Sequence, residues 1–264
     1  MSDVFSRINA DIDSLKIGAY TSGLMALLDS ESMSPEQLES VAIVFDHLRK
    51  QKEETIRNTL LKMSRLPLKE PKTFDNFDFN NVHGKQIEAL KNLPALTAEN
   101  AGRNLAFIGP QGVGKTHLAM AYGRECCIRG MKTYFLKATE LNQRLSDAVK
   151  YGRESSTING LVKPSCLIID EIGCCVFNRE STRMFFDMVD RRYNKEGPKT
   201  IIFTSNLNPG KWGEFFSEDS SLLCAFDRIF DEATVFMMKG DSYRGRHLET
   251  IAVETGRPKP GEKH

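Results

Sequence analysis

Residues 107–119 read FIGPQGVGKTHLA. Apolar residues lead in, a glycine-rich turn follows, and helix formers lead out. From Gly109 to Thr116 the stretch satisfies the spacing G-x-x-x-x-G-K-[ST] in full. Gly109, Gly112 and Gly114 carry no Cβ, so the backbone can turn tightly and aim its N–H groups at phosphate oxygens. The helix opening after them adds its positive N-terminal end. Pro110, Gln111 and Val113 complete the loop and His117 follows it, so 109–117 reads as one nucleotide-binding segment. Lys115 brings a cation to the β- and γ-phosphates, and Thr116 offers a hydroxyl to Mg²⁺. The expected cofactors are therefore ATP and Mg²⁺, on a strand–loop–helix unit of an α/β fold.

Downstream, 166–173 reads CLIIDEIG. An acid at the end of a buried strand is costly unless a cation or a polar partner meets it. Beside a phosphate loop that cation is Mg²⁺, reached by Asp170 through water. Glu171 follows and can orient or deprotonate a water facing the γ-phosphate. Helix capping is the ordinary alternative for either acid. The next apolar run, TIIFTSN at 200–206, places Asn206 where an amide can hold that water or read the γ-phosphate, although Ser-Asn is also good turn chemistry. Two arginines come late, Arg228 in CAFDRIF and Arg244 in DSYRGR. An arginine at the γ-phosphate contributes about 10³–10⁵ in rate. For Arg228 an ion pair with Asp227 or Asp231 is the competing role.

Around these motifs the pattern alternates. Strands are expected at 104–108, 133–136, 166–169, 200–204 and 234–238. Helices are expected at 116–129, 139–151 with Thr139 as N-cap, 180–194 and 221–230, with 150–163 left as loops. This βαβ rhythm implies a parallel sheet with helices on both faces. Residues 1–70 look helical instead, with Leu38, Val41, Ala42, Phe45 and Leu48 at helical spacing. Ser34, Pro35 and Gln37 form an N-terminal capping signature for that helix. Pro67 and Pro71 break the pattern. The expected division is a helical domain over 1–70, an ATPase domain over 71–250 and a disordered tail over 251–264.

A net charge of +1 excludes a globally basic nucleic-acid binder, so any such surface is local. Residues 48–72 hold eight Lys and Arg against three Glu. That excess reads equally as a solvated helix face or as a phosphate-backbone contact. Arg49, Lys50, Lys52 and Arg57 are the DNA candidates there, with Arg191, Arg192 and the loops near 150–163 as rivals in the ATPase core. The six cysteines show no zinc spacing and read as reduced, buried residues. MSDVFSRINADIDSLK has no apolar signal-peptide core, and no apolar run reaches the roughly 20 residues of a membrane span. The expected location is the cytoplasm, on nucleoid DNA when bound, with no membrane partner.

GPQGVGKTHLA, LIIDEIG, DRRY, TIIFTSN, KWGEFF, FDRIF and KGDSYRGR occur in this order, preceded by FDNFDF at 74–79. Over roughly 35–250 the chain resembles the IstB-like transposition helper ATPases, AAA+ proteins close to the DnaC/DnaI helicase loaders. KWGEFF and SYRGR are not general features of phosphate loops, which makes the likeness specific. The resemblance implies an AAA+ P-loop NTPase with a five-stranded parallel sheet in the order 5-1-4-3-2. It implies ATP hydrolysis, and homo-oligomers in which Arg228 reaches a neighbour's nucleotide in trans while Arg244 acts as a sensor. It also implies binding of double-stranded DNA with little sequence preference, and a cognate transposase as partner. Two departures affect fine contacts only: FNRE at 177–180 replaces Leu-Asp-Arg-Glu, and Gly173-Cys174-Cys175 replaces a Gly-Tyr pair.

A replicative helicase loader shares nearly all of these motifs, and a small-molecule kinase shares the loop. Residues 1–65 discriminate the first, through the partner that they grip. Asp170-Glu171, suited to water attack, argues against the second.

Overall fold

Strand β1 (Leu105–Ile108) is buried at every residue, as a strand must be with neighbours on both sides and helices on both faces. The computed structural model describes residues 2–31, 33–79, 82, 87–95, 102–217, 221–231, 233–240 and 242. With β2 (Thr133–Lys137), β3 (Cys166–Asp170), β4 (Thr200–Ser205) and β5 (Thr234–Met237), β1 forms a parallel sheet in the order β2-β3-β4-β1-β5. This is the 5-1-4-3-2 arrangement read from the other edge.

Side chains alternate across the sheet with period two. Ala106, Ile108, Leu167, Ile169, Ile201 and Phe203 face one core cluster, and Leu105, Phe107, Ile168 and Ile202 face another. The first is closed by helices built over Ala138–Lys150, Glu154–Val162 and Arg179–Tyr193. The second is closed by Leu118, Ala119 and Tyr122 of the helix Lys115–Ile128. Both faces are covered, which accounts for apolar runs without polar alternation in β3 and β4.

Before the sheet, α1 (Ser2–Leu15), α2 (Leu24–Ser30) and α3 (Pro35–Met63) enclose a third cluster of Ile8, Ile12, Leu28, Leu38 and Ala42. The cap of α3 is a full capping box: Gln37 N donates to Ser34 Oγ at 3.3 Å, and Ser34 N donates to Gln37 Oε1 at 2.8 Å. The helix continues without a break through the charged stretch to Met63. Ser64 is then fully buried, and its carbonyl accepts from Phe135 N at 2.9 Å, so the chain leaving α3 covers part of the open edge at β2. Continuing in chain order, the remaining α-helices among the described residues are α4 (Ile87–Lys91), α5 (Lys115–Ile128), α6 (Ala138–Lys150), α7 (Glu154–Val162), α8 (Arg179–Tyr193) and α9 (Ser221–Phe230).

Sequence spacing leaves 150–163 as loops, but 154–162 form α7. The Ser-Ser-Thr run and Gly160 conceal a helix whose apolar contacts are Ile158 and Leu161. Thr139 is not an N-cap: α6 begins at Ala138, with Lys137 in the cap position. Asn178 caps α8, accepting from Ser181 N at 2.8 Å.

Arg192 is also corrected. It is 1% exposed. Nη1 donates to the carbonyls of Leu161, Val162 and Pro164 at 3.0, 3.1 and 2.9 Å, and Nη2 to that of Thr200 at 2.9 Å. Burial lowers its pKa to about 10. It joins the end of α7 to the start of β4 and presents no charge to DNA. Arg192→Ala should destabilise the fold by about 3 kcal/mol or more in urea unfolding, because each buried carbonyl left without a donor costs about 1–3 kcal/mol. An unchanged unfolding midpoint would contradict this role.

Candidate nucleotide site

The phosphate loop lies at the C-terminal end of β1. Gly109 N donates to Ser205 O at 3.1 Å, and Met238 N donates to Ile108 O at 2.6 Å. Gly112 and Gly114 have φ of 78° and 94°, a region that side-chain-bearing residues rarely adopt. Space forbids a side chain as well. A Cβ on Gly112 would strike Ser242 Oγ, and one on Gly114 would lie 2.6 Å from Phe77 Cε2. The loop is therefore enclosed between the chain after β5 and the 73–79 segment.

The Lys115 side chain folds back along this loop. Nζ donates to Gly109 O at 2.8 Å, to Pro110 O at 2.6 Å and to Asn206 Oδ1 at 2.8 Å. Lysine and amide thus meet although ninety-one positions separate them in the chain. Thr116 Oγ1 donates to Asp170 Oδ1 at 2.8 Å, and Thr204 Oγ1 donates to the same oxygen at 2.6 Å. Asp170 is 2% exposed, so these two hydroxyls answer a carboxylate that water barely reaches. Two hydroxyls and a carboxylate are hard oxygen donors of the kind Mg²⁺ takes. Thr116 and Asp170 are the residues that could hold it, the acid through water.

Glu171 turns the chain out of β3 with φ of 63°, strained for a residue bearing a Cβ. Its N–H donates to Thr204 Oγ1 at 2.9 Å, which steadies the turn. Its carboxylate lies 3.3 Å from Lys137 Nζ at the end of β2. His117 Nε2 donates to Thr73 O at 2.8 Å, and its ring meets Phe77 edge-on with centroids 5.3 Å apart. Burial pushes the His117 pKa below its ordinary value.

Thr204, Lys137 and Phe77 have no role assigned from the sequence. A threonine in an otherwise apolar buried strand is a signal for the first. The other two join across separate elements and leave no local trace.

Arg228 lies at the other end of the sheet. Asn104, just before β1, donates from Nδ2 to Ile229 O at 2.9 Å and accepts from Ile201 N, at the start of β4, at 2.9 Å. Arg228 lines a cavity of about 280 Å³ there with Gly102, Asn104, Arg192, Tyr193, Lys199 and Asp231. A four-residue strand spans about 13 Å, so β1 separates this arginine from the phosphate loop of its own chain. Its ion-pair partner is Asp190 at 3.0 Å, rather than Asp227 or Asp231. Arg244 lies outside the described residues.

Several cations of the basic segment have partners close by. Arg49 pairs with Asp11 and Glu53 at 2.7 Å each and also with Asp46, while Lys52 donates to the carbonyls of Ser14 and Leu15 at the end of α1. Both side chains join α3 to α1. Lys50 pairs with Asp46 at 2.6 Å yet is 64% exposed, and Arg57 is 3.9 Å from Glu53. Arg191 is held by both oxygens of Asp187 at 2.7 and 2.8 Å. Among the described residues no group of three His, Cys, Asp or Glu could hold a metal, and no helix is long and apolar enough to cross a membrane.

Residues 15–250 match the family model of the IstB-like ATP binding protein. The chain belongs to this family. Its IstB-like relatives include an insertion sequence IS5376 putative ATP-binding protein of Geobacillus stearothermophilus, 38% identical over 71% of this chain and 73% of the relative. Another is an insertion sequence IS232 putative ATP-binding protein of Bacillus thuringiensis subsp. berliner, 30% identical over 92% of this chain and 96% of that one. Among solved structures, a DNA replication initiation factor superposes with TM-score 0.55 at 23% identity, covering 67% of this chain and 52% of its own. DnaI superposes with TM-score 0.53 at 20% identity, covering 65% and 90%. At those identities the likeness shows the fold, that of AAA+ P-loop ATP-binding proteins.

Replacing Thr204 with valine keeps the shape but leaves Asp170 one donor short. Thr204→Val should remove most of the gain in ATP affinity that Mg²⁺ brings, with Mg²⁺-free binding unchanged, in titrations of fluorescent ATP. Full retention of the Mg²⁺ gain would show that Thr204 does not orient the acid.

Proposed function

We propose that this IstB-like protein hydrolyses ATP in assemblies on double-stranded DNA and assists the transposase of an insertion sequence in capturing its target. The observation that carries this reading is the separation of Arg228 from the phosphate loop of its own chain. At one end of the sheet stand Lys115, Thr116, Asp170, Glu171 and Asn206. The arginine suited to the γ-phosphate stands at the other, so a second copy is needed to bring the two together.

In this scheme the loop amides and Lys115 bind the triphosphate, and Thr116 and Asp170 would hold Mg²⁺, which would supply charge to offset that developing on the phosphates. Glu171, once off Lys137, takes a proton from the attacking water, while Asn206 orients that water. The γ-phosphoryl group passes to water, leaving ADP and phosphate. Arg228 of the adjoining copy stabilises the charge that develops.

Residues 71–250 serve as the ATPase domain and the helices of 1–70 as the arm for DNA or the transposase. DNA contact falls to Lys50 and Arg57 on α3, and to the turn after α6, where Tyr151 is 58% exposed between Lys150 and Arg153. The relatives named for insertion sequences favour a transposase partner over a helicase.

Lys115→Ala should abolish ATP binding and assembly, and Glu171→Gln should bind ATP, stop hydrolysis and accumulate the assembled form on DNA. Normal turnover by Glu171→Gln would remove Glu171 as the base. Arg228→Ala should bind ATP without hydrolysing it. Mixing it with Glu171→Gln should restore turnover, because each variant supplies what the other lacks. An inactive mixture would contradict completion in trans. Lys50→Glu with Arg57→Glu should lower the slope of log affinity against log salt by about two, at roughly 0.9 per phosphate contact. An unchanged slope would return α3 to a solvated face.

A further inference from the structure

The carboxylate beside Arg228 has no part in the scheme above. Asp190 sits in the last turn of α8, and its Oδ1 lies 3.0 Å from Arg228 Nη1. The two side chains are 42% and 41% exposed, and an ion pair that open to water adds little to stability. The neighbouring polar groups are otherwise engaged. Tyr193 Oη donates to Asp231 Oδ2 at 3.0 Å, Lys199 Nζ donates to Tyr193 O at 2.5 Å, and Arg191 occupies Asp187. Among the described residues, Asp190 is the carboxylate within ion-pair distance of Arg228.

We infer that Asp190 is a positioning residue for Arg228, fixing the guanidinium so that its remaining donors meet the γ-phosphate of nucleotide bound to a second copy. This rests on the trans reading above and adds how the arginine is made ready. A guanidinium has five donors in a planar fork. The ion pair engages Nη1, and the edge formed by Nε and Nη2 suffices for two parallel bonds to a phosphate. Arginine is long and has many rotamers, so an arginine ordered before docking loses less freedom when the interface closes. Asp190 touches no reacting atom in this account. Its effect passes through Arg228 alone.

The test follows from which subunit carries the change. In the mixture of Glu171→Gln with Arg228→Ala, the first variant supplies the arginine and the second the working site. Asp190→Asn added to the Glu171→Gln chain should lower kcat of the mixture about fivefold with KM for ATP unchanged, as expected of lost orientation. The same substitution added to the Arg228→Ala chain should leave kcat unchanged, since no arginine remains there to orient. Asp190→Glu on the arginine-supplying chain should recover most of the loss. Equal losses from both placements, with matching falls in melting temperature, would mark Asp190 as merely structural and overturn the inference. No loss from either placement would overturn it too, leaving the trans reading intact. A parent mixture without any turnover would overturn the trans reading, and this inference with it.

Discussion

One carboxylate oxygen, Oδ1 of Asp170, accepts the hydroxyls of both Thr116 and Thr204. Three elements converge there: the first turn of α5, the end of β3 and the end of β4. An acid at 2% exposure is tolerated because it is answered twice. Sheet order makes this possible. With β4 between β3 and β1, a threonine on β4 reaches sideways to the acid, and Asn206 just beyond β4 reaches the other way to Lys115. β4 thus joins the Asp170 side of the site to the Lys115 side.

The same sheet separates what it does not join. Chemistry gathers at the C-terminal ends of the strands, while α9 and Arg228 gather at the N-terminal ends. A rigid parallel sheet cannot fold one end onto the other, so in the proposed scheme a second copy unites them. Glu171 adds another restraint. Its turn has a positive φ, and its carboxylate lies 3.3 Å from Lys137.

How much of this is legible in sequence depends on how local the cause is. The phosphate loop is legible because glycines, lysine and threonine act within a few positions of one another. Asp170 and Glu171 are legible because an acid ending an apolar run contradicts burial unless it has work there. The sheet order is supplied by family resemblance, since periodicity reveals strands but not their neighbours. Arg192 misleads because a basic residue at a helix end usually faces water, and only the fold reveals four carbonyls converging on it. The Arg49–Asp11 pair is not legible either, since Asp11 lies on another helix. α7 is hidden by its serines and Gly160, whose preferences are overridden by packing of Ile158 and Leu161. The Arg228–Asp190 pair joins two helices thirty-eight positions apart, and no local pattern encodes it.

The central claim is that an ATP site on one chain is finished by another. Specific ATPase activity per chain, followed over dilution with saturating ATP, Mg²⁺ and duplex DNA, tests it most directly, with sedimentation recording assembly at each concentration. Completion in trans predicts that activity per chain rises from near zero where the protein is monomeric to a plateau where it is assembled. Full activity per chain in samples that sediment as monomers would contradict it.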